Sequence, residues 1–154
     1  MSDSTINTKT QSIQTWLQQS RLTAIERIVA KSRDELEDYR KRDINELREA
    51  VARSYDNWTE SVLKNDFSLS QANSRRAIKE NISRGTSPTQ LARTPWIIYE
   101  VVTQILNEAG NQLDSFERLQ FIRHANKLTG LIVTIGQFQI ASTLVEVNTI
   151  KTKE

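Results

Sequence analysis

The stretch from Asp114 to Ile150 contains no proline and carries apolar residues at helical spacing almost throughout, which predicts one long helix. At about 100° per residue from Leu128, the residues Phe121, Leu131, Ile132, Ile135 and Phe138 fall within roughly 80° of one direction. A second set, Ile122, Val133, Ile140, Leu144 and Val147, lies roughly 100–160° away. One face cannot hold both sets, so the helix needs cover on two sides, from its own domain and from a second copy of the chain. Ile122, Val133, Ile140, Leu144 and Val147 are therefore the expected interface of a homodimer. Asp114 and Glu117 form a capping box that marks the start. No glycine or proline marks an end after Leu144, so residues 151–154 are either a frayed tail or the start of a linker. Gly130 and Gly136 each cost about 1 kcal/mol relative to Ala inside a helix, which close approach of another helix or a hinge would explain.

Composition removes several classes of function. The chain has no cysteine, which excludes disulfides, thiolate metal sites and cysteine catalysis together. Twenty-one basic residues against 19 acidic ones leave a formal charge of only +2, so no nucleic-acid partner is expected. The opening MSDSTINTKT has no basic segment followed by an apolar run, and nothing approaches the ~18 uninterrupted apolar residues of a membrane span. A cytoplasmic protein without a membrane partner is the expectation. A length of 154 residues suits one core. With four glycines, two prolines and little alternation of apolar and polar residues, the expected class is all-α.

Residues 1–5 read as a lead-in and 6–150 as a single domain. Helical spacing from Ile6 to Ala30 has a break at Ser20, giving one bent helix or two short ones. Ser32 and Glu35 form a capping box before DELEDYRKRD, a charged segment expected to be an exposed helix or connector. A second box, Asp43 with Glu46, opens a helix whose Ile44, Leu47, Val51, Tyr55, Trp58 and Val62 should be core. After a loop at 65–68, a helix with a thin apolar face runs from about Ser70 to Arg84 and stops at Gly85. Ser87, Pro88 and Gln90 read as cap, first helical residue and capping-box partner of a short turn. Pro95 is expected to begin the next helix, which ends at Gly110.

Chemistry-bearing groups are sparse. The one histidine, His124, has no carboxylate three or four residues away, so a hydrogen-bonded or part-exposed histidine is expected rather than a ligand or general base. Glu35, Glu37 and Asp38 sit in a mixed-charge run and read as a solvated face. Arg75, Arg76, Lys79, Arg84 and Arg93 oppose Glu80 alone, yet no aromatic residue is interleaved to stack bases. Trp16, Trp58 and Trp96 belong to three separate helices and are either core or the lining of a small-molecule pocket.

The order of elements, with the helix containing Tyr55 and Trp58, the segment NSRRAIKENISRGTSPTQLARTPWIIYEVVTQIL with its Gly85-x-Ser87-Pro88 turn, and the long final helix, resembles the N-terminal sensor domain of RsbR-type stressosome proteins, a haem-free variant of the globin fold. The resemblance covers most of residues 6–150. It implies a globin-like helical domain that forms a homodimer through its terminal helices and passes a signal along them into a STAS domain. That domain, absent here, would meet RsbS-like and RsbT-like stressosome proteins. A globin holds iron through a histidine on the helix preceding the last two, expected here within Thr86–Ala109, where none occurs. No cofactor is therefore expected. The leading expectation is a non-enzymatic input module for stress-response signal transduction. The alternative is a globin-like sensor carrying haem or a small apolar molecule.

Overall fold

Side-chain caps set the helix starts. The computed structural model describes the backbone of residues 11–153 and side chains through Ser142. The expected lead-in at 1–5 and the side chains of Leu144 and Val147 lie outside the described residues. Seven α-helices are present among those described: α1 Ile13–Gln19, α2 Arg21–Glu35, α3 Glu37–Arg40, α4 Ile44–Lys64, α5 Ser68–Ser83, α6 Pro88–Glu108 and α7 Ser115–Lys153. No strand occurs among them, and the class is all-α. Oxygens of Ser12, Asp43, Ser87 and Asp114 accept amides of the first turns of α1, α4, α6 and α7, satisfying donors that have no partner within the helix. Gly85, at φ +84°, ends the α5 segment, its N–H donating to the Ile82 carbonyl at 3.0 Å.

Several boundaries differ from expectation for physical reasons. The first helix among the described residues begins at Ile13, where Ser12 caps it and the Gln11 N–H is bonded to the Gln112 carbonyl at 2.8 Å, while the expected helical stretch from Ile6 lies outside them as far as Thr10. The break at Ser20 is present. No helix starts at Ser32: the apolar stripe of α2 carries it on to Glu35, and Ser32 is buried within it. Leu36, extended at φ −118° and ψ 110°, makes the break instead. Pro95 lies inside α6 rather than at a start. Its missing N–H leaves the Leu91 carbonyl without the usual donor, yet Leu91, Pro95, Ile98 and Val102 are all buried along one side. Tertiary packing overrides the local break there.

The long helix α7 packs chiefly against α6 and α5 and also touches α4, while α2 lies across α4 and α6. Phe121, Leu128, Ile132 and Ile135 turn inward, but Phe138 of the same predicted stripe is 70 % exposed. Ile44, expected in the core, is also exposed. Thr129, fully buried, donates to the Ala125 carbonyl at 2.7 Å, so its hydroxyl carries no desolvation penalty. Burial pushes the Tyr55 hydroxyl up to about 12, which keeps it a donor, and it bonds to the Leu17 carbonyl at 3.1 Å. Ion pairs join neighbouring helices: Arg21 with Asp56, Arg27 with Glu108, Arg48 with Glu26, and Arg93 with Glu35, while Arg93 also pairs with Glu100 of its own helix. Each is partly exposed and worth at most about 1 kcal/mol.

Candidate functional site: a cavity between α4 and α5

Near the end of α4 and the start of α5, Ser61 and Ser70 share a buried hydrogen bond of 2.6 Å and the Ser70 hydroxyl also bonds to the Asn57 carbonyl. Beyond that point lies a cavity of about 580 Å³, within the range of sites that hold small organic molecules. Its deeper lining is mostly apolar, with Ile28 of α2, Leu47, Val51 and Trp58 of α4, Leu91 and Ile98 of α6, and Ile132 of α7, joined by the buried hydroxyls of Ser32 and Ser70. The turn of α6 that lacks a backbone donor, at Leu91, Thr94 and Pro95, also borders it.

The rim is charged. Arg42, Arg53, Arg76 and Arg84 line it with Glu46, Glu49 and Glu80. None of these four arginines forms an ion pair among the described residues. Arg42 differs from the other three in being half-buried. Its guanidinium lies 5.5 Å from the centre of the Tyr39 ring, a cation–π arrangement. Tyr39 is itself fixed by a 3.1 Å hydrogen bond to the Thr94 hydroxyl. The buried Nε–H of Arg42 has no acceptor.

The expected site residues are distributed unevenly around this cavity. Of the three tryptophans only Trp58 lines it. Trp16 packs at the other side of the core, its indole N–H donating to the Ile105 carbonyl at 3.2 Å. Trp96 is half-buried against Tyr99, ring centres 5.4 Å apart. Trp58 is 2 % exposed, meets Phe121 of α7 edge-on at 5.9 Å, and its N–H has no acceptor. This contrast yields a prediction. Trp16→Phe should cost roughly 1–2 kcal/mol, because a bond is lost and a carbonyl is left unpaired. Trp58→Phe should cost less than about 1 kcal/mol, the smaller ring's lost packing being offset by removal of an unsatisfied donor. Denaturant melts of the two variants check the order.

On α7, Ile122 is half-buried against the main core, Val133 is half-buried, and Ile140 packs against the smaller cluster of Ile78, Leu91 and Ile135. The host domain thus covers part of the stripe expected to face a second copy. A Cβ at Gly136 would meet Ile78 Cδ1 at an ordinary contact distance of 3.5 Å, and a Cβ at Gly130 would meet nothing within 4 Å, so packing among the described residues demands a glycine at neither position. His124 is half-buried and does not border the cavity. Because Pro95 starts no helix, the helix preceding the last two is α5 and not a segment within Thr86–Ala109. It lines the cavity and has no histidine.

The charged runs are mostly exposed, as expected, with Asp38, Arg42 and Arg93 as half-buried exceptions. Glu35 pairs with Arg93. Asp38 accepts from the Ser87 N–H at 3.3 Å and from the Gln90 amide at 2.7 Å, tying α3 to the start of α6. Of the basic run at 75–93, Arg93 turns to α2 and α6, where its guanidinium, followed by Lys31, holds the Glu100 carboxyl down to about 2. Arg76 and Arg84 join the cavity rim, while Arg75 and Lys79 are exposed. Among the described residues no group of three His, Cys, Asp or Glu could hold a metal ion, and no helix is long and apolar enough to cross a membrane. Arg42 was missed by sequence reasoning, because it lies in the bend after α3, where its N–H donates to the Tyr39 carbonyl at 3.3 Å and turns its side chain back over the ring. The chain matches no protein-family model, no curated protein and no solved structure.

Proposed function

We propose that the chain is a non-enzymatic signal-input domain of the RsbR-like, globin-related kind. Its input would be a small molecule in the cavity between α4 and α5, and its output α7. One observation carries this reading: Ile132 belongs both to the cavity floor and to the unbroken helix Ser115–Lys153. Whatever fills the cavity touches the rod that leads away from it. Trp58 adds a second link, since its edge-on contact with Phe121 joins the cavity wall to the same helix.

In this proposal two copies pair through α7, and a ligand preferring one packing of the helix pair shifts the population toward it. A downstream STAS domain with RsbS-like and RsbT-like partners would read the change. The absence of cysteine from the natural sequence makes a clean test available. A single Gln137→Cys, on the exposed side of α7, takes a spin label, and pulsed dipolar spectroscopy gives the distance between copies. The expected result is one dominant distance that changes when an apolar probe such as decanol is added. A protein that sediments as a monomer at all concentrations, or a distance unmoved by any bound probe, would sink the reading.

A further inference from the structure

We propose, on the footing that the cavity is the domain's input, that its ligand is an amphipathic carboxylate. Its head is held by Arg42 and its apolar body lies over Leu47, Val51, Leu91, Ile98 and Ile132. The head-group assignment comes from Arg42, whose guanidinium makes no hydrogen bond to an acceptor and no ion pair among the described residues, although it is half-buried. Charged donors left in that state are costly unless something completes them. The guanidinium is also held in place, because it lies over the Tyr39 ring, and that ring is 4 % exposed and pinned by Thr94. A planar donor fork fixed in advance matches a carboxylate in shape and charge.

Charge around the rim narrows the class further. Arg42, Arg53, Arg76 and Arg84 exceed Glu46, Glu49 and Glu80 by a single positive charge. That balance suits one negative charge and not the two of a phosphate monoester. Beneath the rim most of the buried lining is aliphatic or aromatic, with Ser32 and Ser70 as polar exceptions, so the body of the ligand gains by leaving water. Both buried orphan polar groups beside the cavity, Arg42 Nε–H and Trp58 Nε1–H, are donors.

The test is a calorimetric titration of the full chain with decanoate, decanol and decyl phosphate, with tryptophan emission as a second readout because Trp58 forms part of the wall. Decanoate should bind at least roughly tenfold more tightly than decanol, the ratio expected of one charge-assisted contact. Arg42→Gln should bring the two within about twofold by weakening decanoate alone. Ala50→Phe, which fills the cavity from a half-buried position on α4, should weaken both ligands while circular dichroism shows an unchanged helical spectrum. Decanoate binding no better than decanol, a preference that survives Arg42→Gln, or decyl phosphate binding best would each overturn the carboxylate. If decanol alone binds and moves α7, only the head-group assignment falls. If the folded protein binds none of the three, the cavity as an input falls with it.

Discussion

Leu128→Ala is expected to lower the free energy of unfolding by roughly 3–4 kcal/mol, and the thermal midpoint by about 8–12 °C for a chain of this size. Leu128 has no exposed surface and sits in the main hydrophobic cluster. Removing its branched end forfeits the transfer free energy, and it also leaves a void that helices crossing on several sides cannot close. Phe138→Ala is the informative companion. Phe138 is 70 % exposed on the same helix, so in an isolated domain its loss should change stability by no more than about 0.5 kcal/mol. Denaturant melts at two protein concentrations check both. A large, concentration-dependent loss at Phe138 would mean that a second copy covers it. Equal losses at both positions, independent of concentration, would contradict the packing of α7 described here.

How far the fold could be read from the chain depends on whether the deciding force was local. Asp114, Asp43 and Ser87 with Pro88 act on amides within one turn, so the starts of α7, α4 and α6 were legible from short patterns. The Ser32–Glu35 pattern has the same letters, but there the apolar stripe Ile25, Ile28, Val29 is already propagating a helix through it. A cap cannot begin where a packed helix has not ended. Pro95 failed as a boundary for a related reason: burial on both sides of it outweighs one lost hydrogen bond.

The cavity lay further beyond reach because its walls come from α2, α4, α5, α6 and α7, and no sequence spacing encodes that meeting. Arg42 reads as one more cation in YRKRD until Tyr39 is seen beneath it. Asp38 likewise reads as solvated until Gln90, 52 residues later, arrives to bond with it.

Gly130 offers the sharpest test of whether α7 works as one rod, because two substitutions there should act in opposite directions. Gly130→Pro removes a backbone donor from the helix interior and sets the ring against the preceding turn, at a cost of about 3 kcal/mol or more. The break would leave Phe121, Ala125 and Leu128 of the main cluster on one side, and on the other Ile132 of the same cluster with Ile135, which packs with Ile78 and Leu91 in the smaller one. Amide exchange should therefore rise in α5 and after residue 130, while α2 and the inner face of α4 keep their protection. Uniform loss of protection would show instead that the two clusters unfold as one unit.

Gly130→Ala should stabilise the domain by about 0.5–1 kcal/mol, since a helix-interior glycine is replaced and the new methyl meets nothing within 4 Å. If two copies cross at this glycine, the same methyl stands between them, and the dimer should weaken even as each domain gains stability. Sedimentation measured beside thermal melts separates the two effects. A rise in midpoint with dimerisation unchanged places the crossing elsewhere along α7, and the hinge role assigned to Gly130 goes with it, because a hinge made stiffer without consequence was not bending.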